Sequence, residues 1–275
     1  MPTFVDGKLL RDNIKAELLG YTKSLPQPLS FHIIYLGADP VIDTFIRYKS
    51  AFGKDLGTDV VVHRLASGVS FQDVQDLIAD VESKADGIII QLPLPDHLDR
   101  QAVLDLVPPE KDVDVLSTAA RQAFRDGKTN LMPPVTSAIA EVVDHYDVNL
   151  TDKNIVLVGM GSLVGYPTSL WLDRQQYSYQ AITNETLGDE KAHLLGQADV
   201  VISGVGVPHL LTADMVKEGV VLIDAGTSEE GRRILGDIHP DTLEKGSIVT
   251  PVPGGIGPIT IAALYRNLVL AHQNR

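Results

Sequence analysis

The chain has no cysteine in its 275 residues, which excludes a disulfide framework, a thiolate nucleophile and any cysteine-ligated metal. No apolar run reaches the ~20 residues that a membrane span needs. The opening MPTFVDGKLLRD lacks the apolar stretch of a secretory signal, so a cytoplasmic protein with no membrane partner is expected. Positive charge is scarce: 23 Lys and Arg stand against 36 Asp and Glu, for a formal net charge of −13. Without a basic stripe the chain cannot displace counterions along a nucleic-acid backbone, so no nucleic-acid partner is expected. The eight histidines contain no i, i+4 pair and no HExxH, which argues against a zinc site. Neither a GxxxxGK[ST] phosphate loop nor a GxSxG elbow is present. An anionic ligand would have to be met by local donors and not by the overall field.

What is present is concentrated in glycine-rich turns. The stretch Pro251 to Thr260, PVPGGIGPIT, packs three prolines and three glycines between a short apolar strand and a helix expected over 259–270. Proline stiffens such a loop, and glycine admits close backbone approach and positive φ. A helix N-terminus at its end favours an anion or an electron-rich ring; a stiff turn without ligand is the alternative.

Apolar runs near 31–36, 60–65 and 87–92 alternate with helical patterns near 7–25, 41–56 and 71–81, the last opened by a Ser70–Asp73 capping box. The alternation implies an α/β fold with a mostly parallel sheet. The polar stretch Arg121 to Asn130 separates this first lobe, 1–120, from a second, 121–258, where the pattern restarts. There the strand 154–158 runs into Gly159-Met160-Gly161-Ser162-Leu163-Val164-Gly165. Strand, glycine turn, helix is the context of a Rossmann-like dinucleotide site, although G-x-G-x-x-x-G is a looser spacing than the usual fingerprint. Later strands end in Gly204 and Gly206, and in Ala225 and Gly226, as expected where ligands sit at strand carboxyl ends.

Several of these motifs together resemble one family. Val5-Asp6-Gly7-Lys8, Leu36-Gly37-Ala38-Asp39-Pro40, the run Asp86 to Pro95 with its QLPLP, Pro109 to Asp114, Val164-Gly165-Tyr166-Pro167, Gly236-Asp237 and PVPGGIGPIT occur in order. The chain is similar, nearly end to end, to the bifunctional methylenetetrahydrofolate dehydrogenase/methenyltetrahydrofolate cyclohydrolase (FolD) family. That resemblance implies two α/β lobes with a cleft between them, a C-terminal helix 259–275 returning to the first lobe, and a homodimer. It implies a folate substrate, 5,10-methylenetetrahydrofolate, oxidised with NADP or NAD and then hydrolysed. It also assigns Lys49 to hydrolysis, Gln91 as its hydrogen-bond partner and Asp114 to the pterin ring, with Phe45, Pro253, Gly254, Gly255 and Pro258 beside the substrate. Gly159, Gly161, Ser162, Leu163, Val164, Gly165, Glu185, Gly206 and Thr227 fall at the nucleotide.

The departures are specific. Phe45 replaces the tyrosine that normally accompanies the lysine, and Ile42 replaces a serine, so hydrolysis should suffer more than hydride transfer. Tyr48, ~100° from Lys49 around the helix, is expected to pack elsewhere. Val115 stands where a glycine usually follows the aspartate. Gly159-Met160-Gly161 lacks the usual arginine, and Thr183-Asn184-Glu185 replaces a basic segment. Glu185 follows Gly159 near the ~20-residue offset at which an acid meets a ribose hydroxyl, which favours NAD; a helix-start acid on the surface is the other reading of Glu185. These losses also leave open a divergent paralogue that binds a nucleotide or pterin-like ligand without the full chemistry.

Overall fold

The computed structural model describes residues 1–230 and 233–274. They group into two compact units, 1–11 with 135–260, and 12–134 with the chain from Ile261 onward. The chain opens with β1 (Thr3–Phe4) and α1 (Gly7–Thr22). In the unit that follows, β2 (Ser30–Leu36), α2 (Pro40–Asp55), β3 (Asp59–Leu65), α3 (Phe71–Glu82) and β4 (Gly87–Gln91) form two βαβ crossovers. Their strands make a parallel sheet in the order β3-β2-β4.

The helices start where local chemistry demands it. Asp39 caps α2 by accepting from the Val41 N–H at 2.7 Å, with Pro40 in the first turn, where its missing N–H costs nothing. Ser70 and Asp73 form the expected reciprocal box on α3. The apolar stripe Val74, Ile78 and Val81 of that helix packs on Ile34, Ile88 and Ile90 of the sheet. α4 (Arg100–Leu104) and α5 (Thr118–Arg125) complete the unit. The helix α5 takes up half of the stretch read from sequence as a polar boundary. Ser117 caps it, and only Ala120 and Phe124 are buried, too few apolar positions to register as a period.

The other unit runs α6 (Pro134–His145), β5 (Ile155–Val158), α7 (Gly165–Arg174), β6 (Tyr179–Ile182), α8 (Gly188–Gln197), β7 (Val200–Ser203), β8 (Val220–Asp224), β9 (Ser228–Glu230), β10 (Arg233–Leu235), α9 (Pro240–Leu243), β11 (Gly246–Val249) and the first turn of α10 (Ile256–Gln273), whose remainder groups with the three-stranded unit. Six strands form one parallel sheet, ordered β1-β11-β8-β7-β5-β6, and β9 with β10 forms a separate antiparallel ribbon. IVLV of β5, VVIS of β7 and VVLID of β8 are buried at every position, as expected for parallel strands covered on both faces. The order reverses at β5, flanked by β6 on one side and β7 on the other. That reversal opens a crevice at the strands' carboxyl ends.

The first eleven residues, read from sequence as part of lobe 1–120, group with this unit. The reason is backbone pairing: Thr3 and Phe4 lie in register with Ile248 and Val249, and the Val5 N–H donates to the Val249 carbonyl at 2.8 Å. In the 259–275 helix range, residue 275 lies outside the described residues. Among the described residues no helix is long and apolar enough to cross a membrane.

Candidate active site

Lys49, Gln91 and Asp114 all belong to the three-stranded unit, each held by a different element. Phe45 and Lys49 are one turn apart on α2 and share its face. Gln91 is the last residue of β4, and the Lys49 Nζ donates to its Oε1 at 2.9 Å. The Gln91 amide nitrogen donates to the Leu92 carbonyl at 2.9 Å, which turns the amide oxygen toward the lysine. The Tyr265 hydroxyl of α10 donates to the Lys49 carbonyl at 2.8 Å and anchors the helix at that residue.

Burial drives the Lys49 pKa down from 10.5, and the Asp114 charge opposes the shift. Burial likewise raises the Asp114 carboxyl, against the pull of Lys49. Both effects favour neutral forms, so the cluster holds an amine that gives up its proton more readily than a free lysine.

The turn carrying Asp114 is built from beneath by Asp112, whose Oδ2 accepts from the Leu116 N–H at 2.9 Å and the Ser117 N–H at 2.7 Å. Asp112 is pushed up to about 6 by burial, its backbone donors pulling the other way. Beside Asp114, Val115 adopts φ +56 and is buried. The backbone has kept a left-handed turn suited to glycine while the residue is β-branched, a strain of about 1–3 kcal/mol. Tyr48 is exposed, with the Arg47 guanidinium 5.7 Å from its ring centre.

The glycines of the β5–α7 turn serve separate purposes. Gly159 has φ +86, and its N–H donates to the Ile182 carbonyl of β6 at 2.8 Å. A Cβ on Gly165 would stand 1.8 Å from the Gly159 carbonyl oxygen, so the helix can leave the strand this tightly only without a side chain. Among the described residues, its chain neighbours aside, the nearest atom to a Cβ position on Gly161 is the Gly204 oxygen at 3.9 Å. That open space suits a ligand approaching the backbone. Leu163 is exposed, whereas Val164 is buried and precedes α7 without a side-chain cap; Ser162 is half-buried.

Gly206 has φ +76 and lies against Thr227, whose carbonyl would be 3.7 Å from an added Cβ. Glu185 sits in a turn at the end of β6, its N–H donating to Thr183 Oγ1 at 3.2 Å. The helix-start acids are Asp189 and Glu190 of α8 instead.

Only the first half of PVPGGIGPIT is a loop, because α10 begins at Ile256 and takes Pro258 into its first turn. Pro253 and Gly254 are exposed, and Gly255 is buried. The opening VDGK motif buttresses this loop. The Gly7 N–H donates to the Gly254 carbonyl at 3.1 Å, and a Cβ on Gly7 would lie 1.9 Å from the Gly255 oxygen. Gly7, named in sequence only as part of the VDGK motif, therefore shapes this loop, a role its position within the motif signalled. Among the described residues no group of three or more His, Cys, Asp or Glu side chains is placed to hold a metal.

Residues 5–114 match the family model described as tetrahydrofolate dehydrogenase/cyclohydrolase, catalytic domain, and residues 133–275 match its NAD(P)-binding domain. The Bifunctional protein FolD of a Nitratiruptor species is 33% identical over 279 residues, covering 98% of each chain. The crystal structure of the FolD methylenetetrahydrofolate dehydrogenase/cyclohydrolase from Campylobacter jejuni superposes with TM-score 0.94 at 30% identity, covering 100% of both chains. The Trypanosoma brucei FolD, complexed with NADP cofactor and inhibitor, gives TM-score 0.94 at 25% identity, covering 99% of this chain and 98% of that one.

Proposed function

The chain belongs to the tetrahydrofolate dehydrogenase/cyclohydrolase family, and from that premise we propose that it runs both reactions with Lys49 as the hydrolytic base, with hydrolysis the slower, and with NAD preferred over NADP. The observation that carries the reading is the 2.9 Å hydrogen bond from Lys49 to Gln91, beside an Asp114 whose charge acts on the same lysine.

Oxidation removes a hydride from the methylene carbon of 5,10-methylenetetrahydrofolate and leaves a methenyl cation, a step that needs alignment but no protein acid or base. The turn Gly159 to Gly165 fits a pyridine nucleotide by its open space at Gly161, and such a nucleotide supplies the hydride acceptor. Hydrolysis differs, because the attacking water must lose a proton and the ring nitrogen must gain one. Lys49, with its pKa lowered by burial, takes the first proton; Gln91 aims the amine, and Asp114 holds the pterin ring. Phe45 offers a ring face but no hydroxyl, so one polar contact to the reacting centre is missing.

The cofactor preference rests on Glu185 at the end of β6 and on Met160 in place of a cation. The Trypanosoma brucei relative holds NADP, so this preference would be a departure. A homodimer in the cytoplasm completes the reading and rests on the family resemblance alone.

Initial rates with methylenetetrahydrofolate and each nucleotide test it, together with hydrolysis of the methenyl compound. A kcat/KM for NAD about tenfold or more above that for NADP is expected, with hydrolysis slower than oxidation. A clear preference for NADP overturns the cofactor assignment, and hydrolysis as fast as oxidation overturns the argument from Phe45.

A further inference from the structure

A buried carboxylate occupies the donor side of the loop that follows β7. Residues 203–207 read Ser-Gly-Val-Gly-Val, and Gly206 at φ +76 turns the backbone so that three successive N–H groups converge. Such a concave run of donors commonly binds an external anion. Here the anion is internal. Asp237 Oδ2 accepts from Ser203 Oγ and from the Val205 N–H, each at 2.7 Å, and its Oδ1 accepts from the Gly206 and Val207 N–H groups, each at 2.9 Å. Asp237 and Ser203 are both 0% exposed, and four donors fill the acceptor sites of one carboxylate.

Asp237 is itself fixed from behind. The Leu211 N–H donates to its carbonyl at 2.9 Å and the His209 N–H to the Gly236 carbonyl at 3.1 Å. The neighbouring Ile238 N–H donates to Asp224 Oδ2 at 2.9 Å. A Cβ on Gly226 would fall 2.2 Å from the Asp237 carboxyl, so the facing strand end carries no side chain. Ser228 Oγ donates to the Gly206 carbonyl at 2.6 Å and ties the root of the β9–β10 ribbon to the same loop.

With its N–H groups turned inward, the loop has none to give to a phosphate. It presents Val205 and Val207 instead, 41% and 45% exposed, and Val205 Cγ2 lies 2.8 Å from where a Gly159 Cβ would be. We propose that Asp237 is a positioning residue for the dinucleotide: by holding residues 205–207 donor-side inward, it sets Val205 and Val207 as an apolar platform for a ring of the nucleotide at the end of β5. This rests on the reading that the Gly159 to Gly165 turn binds a nucleotide.

Asp237→Asn keeps the shape but turns an NH2 group toward backbone N–H donors, so the platform should lose its setting. In calorimetric titrations of the full chain with NAD and with NADP, the Kd of the preferred nucleotide should rise about tenfold or more. The KM for methylenetetrahydrofolate and the rate of methenyl hydrolysis, which uses no nucleotide, should stay within about twofold. A Kd within about twofold of the parent, or hydrolysis lost in step with nucleotide binding, overturns the proposal. Should Asp237→Asn fail to fold, Ser203→Ala removes one donor of the four and should raise the Kd about threefold with the same split; an unchanged Kd overturns the proposal. If the parent hydrolyses the methenyl compound but binds neither nucleotide, the nucleotide reading itself fails and takes this inference with it. If the parent binds and Asp237→Asn binds equally well, only the inference fails.

Discussion

Lys49 and Gly165 are each tightly constrained within their own units, for opposite reasons. Around Lys49 the constraint is chemical: its amine donates to the Gln91 amide at 2.9 Å and the Asp114 carboxylate acts on it by charge, each group supplied by a different part of the chain. Around Gly165 it is steric, the carbonyl of Gly159 lying where a side chain would begin. Lys49 is constrained by groups placed around it, and Gly165 by the side chain it lacks. A functional-group change should therefore disable the first with its fold intact, and a single methyl should disable the second by moving backbone.

The largest effect tests the first half of that contrast. Lys49→Gln keeps a polar side chain near Gln91 but removes the proton acceptor, so hydrolysis of the methenyl compound should fall about 10²–10⁴-fold, with the thermal midpoint nearly unchanged. Hydrolysis that persists near the parent rate would mean that the base lies elsewhere and that the lysine only shapes the pocket. The second half is tested by Gly165→Ala, whose Cβ would meet backbone atoms of Gly159 and Met160 at 1.8–2.9 Å. Overpacking against backbone should cost about 3 kcal/mol and weaken nucleotide binding with it, both seen in a melt with and without NAD. Gly161→Ala meets nothing nearer than 3.9 Å and should change stability by about 0.5 kcal/mol or less. Equal losses in the two glycine variants would break the distinction between a packing glycine and an open one.

The two units were also legible from sequence to different degrees. Lys49, Gln91 and Asp114 came from motif matches, and their local placements follow from simple rules: a one-turn offset on α2, a strand end, and a turn. The βαβ order and the Ser70–Asp73 box were legible because apolar period and capping chemistry are local. What did not register depends on atoms distant in sequence. Gly7 is required by the Gly255 carbonyl, and β1 joins β11 through backbone bonds between the two ends of the chain. Helix α5 buries only Ala120 and Phe124, and the strain at Val115 is a matter of φ, which a residue name does not carry. Asp237 stood inside a matched motif, yet its four donors lie some thirty positions upstream.

The smallest effect separates the units by acidity. Asp224, the last residue of β8, is pushed up to about 7, chiefly by burial, with the Asp237 charge adding to the rise and the Ile238 and Gly226 N–H groups resisting it. Asp112, beneath Asp114, reaches about 6, also by burial. In the unfolded chain both titrate near 3.8. Between the unfolded and folded values the native state therefore binds more protons than the unfolded one, and each acid's contribution to stability falls as pH rises through that window. Asp73 and Asp199, whose folded values are lowered, act with the opposite sign, so the individual terms emerge only as differences. The midpoint of the parent minus that of Asp224→Asn should shrink by a few degrees from about pH 4 to about pH 7 and then level. The same difference for Asp112→Asn should level about one unit sooner. A flat Asp224→Asn difference across that range would mean that the carboxyl stays ionised in the fold. Two buried negative charges would then stand side by side, Asp237 satisfied by the Ser203 hydroxyl and the N–H groups of 205–207 and Asp224 by the Gly226 and Ile238 N–H groups.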